Sequence, residues 1–383
     1  MTAANHYRYK KLKTVLKRLP HAMLFLAPAA VALILYKVLP QFPEFSEKVF
    51  SRGIFRLIGI PLGFVTSRLG VSLTEIAVVL ALPAFVAYVA VFTRKLVRSQ
   101  NRKSIVIKHL KAIGWSLSFL LLMYMLMHGI NFFRLPASTL LELDTSQKSP
   151  ELLQQLCIDL AKKATLEREN LSENADGCTI LSQSLNKTLK IAGDGYKAID
   201  YRYKFLKGAV ARAKPVRLSH WWSYTGISGM YMPVFAEANI NIDQPDSAIP
   251  ATAAHELAHT RGFAREDECN FFACLTCFHH PSADYRYSGT LMAYIYCSNA
   301  LYSYDEELWE TARDYCSKGV LRDINQRNQY WKQFEGKVQK TSEKINNSFI
   351  QSHGVEDGVL SYNRIVELLL AYYEKEGLPV ASG

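Results

Sequence analysis

No acidic residue falls in either of the two stretches where this chain gathers its positive charge. Residues 1–20 carry Arg8, Lys10, Lys11, Lys13, Lys17 and Arg18. Residues 94–111 carry Arg94, Lys95, Arg98, Arg102, Lys103, Lys108 and Lys111. The whole chain has 45 Lys and Arg against 34 Asp and Glu, so removing these thirteen leaves 32 basic against 34 acidic. The formal +11 is therefore local, which excludes an evenly basic nucleic-acid binder. Cysteine is absent before Cys157, and a chain of 383 residues with seven cysteines is no disulfide-stapled miniprotein. With 49% apolar residues the chain is too hydrophobic for a disordered one. No Pro/Gly/Ser-rich linker divides residues 136–383, and no internal repeat is visible.

Between the basic stretches the chain is apolar. Leu19–Tyr36 and Ile76–Thr93 are 18 residues each without an acid, Lys or Arg, and Ala112–Phe133 is 22. At about 1.5 Å per residue each can cross a hydrocarbon core of about 30 Å, with flanking Lys and Arg reaching the headgroups. Three spans, at about 19–40, 73–93 and 112–133, therefore anchor a membrane region over 1–135. Leu57–Ser67 holds only eleven uncharged residues, with Gly59, Pro61 and Gly63 among them. It is too short to span and reads as an interfacial or loop segment. No A-x-A site follows the first run, so an uncleaved anchor is expected rather than a signal peptide. The two basic stretches place the N-terminus and the 94–111 loop in the cytoplasm and the 136–383 region outside it. His128 and Asn131, near the outer end of the third span, are expected to reach headgroups or water.

The 136–383 region is long enough for a domain with its own core. Helical periodicity dominates it: Pro150 starts one amphipathic run, and Ile199–Lys214, Tyr304–Ser317, Leu321–Ser352 and Tyr362–Lys375 read as further helices, with Gly354 as a C-terminal cap. Gly226–Asp243 instead alternates, with Ala238, Ile240 and Ile242 opposite Asn239, Asn241 and Asp243, which predicts a strand or hairpin. The fold class is α+β, mainly helical. Cys274-Leu-Thr-Cys277 has no second pair to match it and reads as small core side chains, while Cys157 and Cys178 are candidates for a disulfide.

The sharpest motif is His255-Glu256-Leu257-Ala258-His259. Histidines at i and i+4 lie on one helix face, where both imidazoles can hold one Zn²⁺. The Glu between them is placed to take a proton from the metal's water. Pro250, after Asp246 or Ser247, suits a helix start, the Ala-rich 251–254 favours helix, and Gly262 supplies the stop. A third protein ligand is needed. If the chain reverses at Gly262, a second helix starting near Ala264 offers Glu266 or Glu268, which point about 200° apart, so only one can serve. Glu266 shares a face with Asn270, which is placed to support a ligand imidazole. His279 and His280, beside Pro281, read as an exposed loop. Tyr285, Arg286 and Tyr287 are candidates to stabilise an oxyanion, though an aromatic-rich segment favours packing.

Glu266-x-x-Cys269-Asn270-x-Phe272-Ala273 resembles the E-x-x-A-[DN]-x-F-A third-ligand helix of gluzincin metallopeptidases, with Cys269 where Ala is usual and a shorter gap after His259. That resemblance implies Glu266 as the ligand. More specifically, the chain resembles an uncharacterised bacterial multi-span membrane family of the HExxH zinc-metallopeptidase kind, a domain of unknown function. The shared segments are Gly229-Met-Tyr231-Met-Pro233, Glu237-Ala238-Asn239, His255 to Gly262 and Glu266 to Phe271. It implies a zincin-like, gluzincin-type domain after the spans and brings no substrate.

The expectation is thus a membrane-anchored zinc metallopeptidase: Zn²⁺ held by His255, His259 and Glu266, Glu256 as general base, and the strand over Ala238–Ile242 offering its edge to a peptide substrate. The alternatives are a non-catalytic zinc-binding membrane sensor or regulator, and a hydrolase of another amide such as cell-wall peptide. The expected partners are the lipid bilayer and a peptide or protein substrate, and not nucleic acid.

Overall fold

The computed structural model describes residues 21–208, 212–353 and 364–379. The N-terminal basic stretch and the Gly354 cap lie outside the described residues. Four helical stretches, Met23–Gln41, Pro43–Ser67, Leu73–Arg98 and Arg102–Phe133, are long and apolar enough to cross a membrane by length and composition. Their helices are α1 (Ala27–Val38), α2 (Pro43–Ser67), α3 (Leu73–Arg98) and α4 (Arg102–Met127).

The second of these corrects the expectation for Leu57–Ser67. That run is neither loop nor short: it is the end of a 25-residue helix whose Ser46–Ile54 portion is wound as a π-helix. Its apolar run is interrupted by polar residues that face protein rather than lipid. Glu47 is buried and meets Arg134 at 2.7 Å, Ser51 Oγ donates to Asn131 Oδ1, and Arg56 donates to the Phe205 carbonyl. Counting charges along the chain therefore undercounts the helix.

Beyond the spans, α5 (Pro150–Arg168) packs across the later helices, and a small sheet follows: β1 (Ala213–Val216), β2 (Gly229–Met232) and β3 (Glu237–Asn241). The order is β1-β3-β2, with β1 parallel and β2 antiparallel to β3. Central β3 is paired on both sides and buried along its whole length, so its edge is not free, contrary to the sequence reading; the edge strands are β1 and β2. Ile199–Lys214 is not one helix either. A short helix ends at Ile199, and Lys214 lies in β1, where its ammonium pairs with buried Glu237 on β3. A lysine swallowed by a strand pair reads as helix surface in the sequence.

Then come α6 (Ile249–His259), α7 (Glu266–Phe278), α8 (Ala283–Tyr304), α9 (Lys318–Lys332), α10 (Lys337–Ser352) and α11 (Arg364–Glu376). The expected single helix over Leu321–Ser352 is two helices, parted before Lys337. The main core joins α5, α6, α7, α8 and α11 through Leu160, Leu257, Phe271, Phe272, Leu291 and Leu369. All seven cysteines are buried and free, including Cys157 and Cys178. The architecture is mainly helical with one small sheet.

The membrane helices and the sheet are joined by buried polar contacts. Glu237 accepts from the backbone N–H of Leu73 and Thr74 at the start of α3, satisfying two of the free donors of that helix end. Ser72 caps the same helix by accepting from Glu75 N.

Candidate metal centre

Pro250 is compatible with a helix start because it needs no N–H donor there, and Ala251, Ala253 and Ala254 carry α6 inward with little side-chain bulk. The residue before the helix is Ala248, without a side-chain cap, because Asp246 is engaged by the Leu181 N–H. The helix ends in a turn at Gly262, whose φ of +81° favours glycine. The turn is fixed from the membrane side: Arg134 donates to the Gly262 carbonyl at 2.6 Å. The chain reverses into α7, whose first residue is Glu266.

That reversal brings ligand atoms of His255, His259 and Glu266 within 4.8 Å of one another. Glu266 Oε2 lies 3.1 Å from His255 Nε2, and Oε1 lies 3.6 Å from His259 Nε2. Both imidazoles are oriented through their other nitrogen. His255 Nδ1 is 2.7 Å from Asn270 Oδ1, and His259 Nδ1 is 2.8 Å from the Phe263 carbonyl. These contacts favour Nδ1–H and leave each Nε2 lone pair aimed at the shared point. Two imidazole nitrogens, each held from behind, and one carboxylate oxygen are a donor set that suits Zn²⁺.

Glu268 is directed elsewhere. Its Oε1 accepts from the Ala137 N–H and from Arg265, both at 2.8 Å, and it ties α7 to the chain leaving the last span. Of the two candidate acids, only Glu266 joins the histidines.

Glu256 is buried against β2, and its Oε2 has no hydrogen-bond partner. A Cβ at Gly229 would lie 2.5 Å from Glu256 Oε1, so the edge strand can run this close to the carboxylate only with glycine there. Burial, and next the charge of Glu266, push Glu256 up to about 8, against the opposing pull of His255. Burial disfavours protonated His255, but the hydrogen bond and charge of Glu266 outweigh it and hold His255 up at about 9. Glu266 feels burial too, yet the two histidines bring it down to about 2. Burial lowers His259.

The cluster opens into a cavity of about 850 Å³. Edge strand β2 forms one wall, Tyr296 and Arg327 another, and α10 covers it with Gln339 and Phe349. The C-terminal end of α4 also takes part, through Tyr124 and His128. The His128 ring is 5.7 Å from that of His259, while Asn131, expected to reach headgroups or water, is instead buried on Ser51. Sequence reasoning missed Tyr296, Arg327 and the role of His128, since none is near the motif in the chain.

The other sequence candidates lie apart from the cluster. His280 is buried rather than exposed, with Nε2 at 3.0 Å from the Ile191 carbonyl. Tyr285 donates to the Thr188 carbonyl, Tyr287 bonds Asp323, and Arg286 binds the carbonyls of His280 and Pro281. All three are packing residues, and none lines the cavity.

No curated protein matches the chain. No solved structure matches it either. A family model described as a protein of unknown function, DUF3810, matches residues 50–370, which run from α2 through α6 and α7 into α11, and the chain belongs to that family.

Proposed function

We propose that this protein is a membrane-anchored zinc metallopeptidase acting at the extracytoplasmic face. The observation that carries the reading is the convergence of His255, His259 and Glu266 beside a carboxylate, Glu256, that has a buried oxygen without a partner. Metal binding alone has no need of Glu256, and the cost of burying an unpaired carboxylate oxygen speaks for a chemical task.

Zn²⁺ held there would supply Lewis-acid polarisation of a scissile carbonyl and acidify a water molecule. Glu256 takes the proton from that water and later delivers it to the leaving amine; its raised affinity for protons suits a group that must do both near neutrality. Asn270 and the Phe263 carbonyl hold the imidazoles in one orientation. An extended peptide adds to the free edge of β2 and lies across Glu256.

The test uses full-length protein in detergent micelles. Zinc is measured per chain, and hydrolysis of a randomised peptide pool is compared with Glu256→Gln. About one zinc per chain is expected, with hydrolysis falling by at least about a hundredfold in the variant while zinc is retained. A folded wild type without zinc, or equal hydrolysis by the variant, refutes the reading.

A further inference from the structure

Arg327 projects from α9 into the wall of the metal cavity, where Trp331, four residues on, lines the same wall. Its surroundings give it little. Burial lowers its affinity for its proton, and the one opposing influence is the hydroxyl of Tyr296. Among the described residues no carboxylate stands within ion-pair distance of it, although Glu335 and Glu343 line the same cavity. Arg327 is half-buried, and a guanidinium that lines a cavity without a counter-ion is free to pair with an incoming anion.

The position of this cation relative to the metal cluster is set by a chain of contacts. Glu266 and His255 face each other, His255 bonds Asn270, and Asn270 Nδ2 donates to Tyr296 Oη at 3.2 Å. Tyr296 is in turn next to Arg327. The cavity therefore carries both the candidate metal-ligand cluster and, beside Tyr296, a planar cation. Guanidinium geometry matches a carboxylate through two parallel N–H bonds.

We propose that Arg327 forms a subsite for a carboxylate of the substrate, so that the peptides taken by this cavity carry a free C-terminus or an acidic side chain a short distance from the cleaved bond. The inference deepens the peptidase reading and rests on it for the word substrate, but the anion subsite can be tested apart from hydrolysis. In its absence the described lining would offer a peptide no guanidinium or ammonium group. With it, one anchoring charge fixes which bond lies over Glu256.

The experiment uses full-length protein carrying Glu256→Gln, so that no peptide is consumed, both metal-free and loaded with zinc. It is equilibrated with two randomised N-acetyl tetrapeptide pools, one ending in a carboxylate and one in a carboxamide, and retained peptides are sequenced by mass spectrometry. Retention of the acid pool at least about tenfold over the amide pool assigns a terminal carboxylate. Enrichment of Asp or Glu at one position in the amide pool assigns a side chain. Either preference should vanish in Arg327→Met and survive in part in Arg327→Lys. The unfolding temperature of Arg327→Met should stay close to that of the parent, because the half-buried Arg327 has no carboxylate partner to lose. Equal retention of both pools without acidic enrichment, or a preference that persists in Arg327→Met, overturns the proposal. Absence of bound zinc would refute the metal reading, while the metal-free comparison would still decide Arg327.

Discussion

The two histidines of the cluster each have a second attachment, and this is where its chemistry is most exposed to single substitutions. Asn270 holds His255 from behind without touching the shared ligand point. Asn270→Ala should weaken zinc binding by about 10- to 100-fold, read by competition with a chelator, with little change in fold. Unchanged affinity would mean that the imidazole is oriented by packing alone. Proton linkage gives a second outcome. Without metal, His255 is held at about 9 and so is protonated at neutral pH, and a metal must displace that proton. Titration calorimetry in buffers of different ionisation enthalpy should show release of at least about one proton per zinc at pH 7, with affinity rising as pH approaches about 9. For the metal-free fold the signs are opposite for the two partners. Glu266, lowered to about 2, contributes stability that is present above its ordinary value and lost as pH falls toward 2. His255 contributes stability that is present below its ordinary value and lost as pH rises through about 9. His255, Glu256 and His259 were legible in the sequence because four-residue spacing on a helix is local. Tyr296, Arg327 and His128 were not, because they meet the cluster only through the packing of α8, α9 and α4 around it.

Two glycines decide how the elements meet. Gly262 lies at φ +81°, where a Cβ would also sit 3.2–3.3 Å from Phe55 and Asn131, so Gly262→Ala should destabilise the protein by about 1–2 kcal/mol in thermal unfolding. The loss should carry the metal with it, since this turn sets Glu266 opposite the histidines. Gly229 is the opposite case. A Cβ there presses on Glu256 but on no metal ligand, so Gly229→Ala should keep its zinc and lose hydrolysis. Loss of both together would place β2 among the supports of the metal cluster. Pattern reading placed α6 and the stop after it from Pro250, the Ala-rich 251–254 and Gly262, and expected a second helix from near Ala264. It failed for β1, where Lys214 is polar yet buried, and for α2, where Glu47 and Arg56 interrupt an apolar run while facing protein. Pattern reading equates polar with solvent, and buried ion pairs break that equation.

At the scale of the whole molecule, the disposition of α2 decides how many helices cross the bilayer. Near its start Glu47 is bound to Arg134, which also holds the Gly262 turn; at its end Ser67 Oγ accepts from the Arg212 N–H beside β1. Both ends are thus pinned to the part of the chain that carries the cluster, as are the start of α3 through Glu237 and the end of α4 through Arg134. We propose that α2, tied at both ends to the part that carries the cluster, lies at the interface and leaves three crossings despite its length and apolarity. The positive charge of residues 94–111 fits the same arrangement, since it then stays on the cytoplasmic side. The prediction is that Phe42→Cys, Leu69→Cys and Tyr304→Cys are all modified by a membrane-impermeant maleimide in intact cells, whereas Gln100→Cys is modified only after permeabilisation. All seven native cysteines are buried, which keeps the background low. If Phe42→Cys and Leu69→Cys report opposite sides, α2 crosses the membrane. Labelling of Gln100→Cys together with protection of Tyr304→Cys would instead place the His255, Glu256 and His259 helix in the cytoplasm, and the substrate would then have to be sought among cytoplasmic peptides.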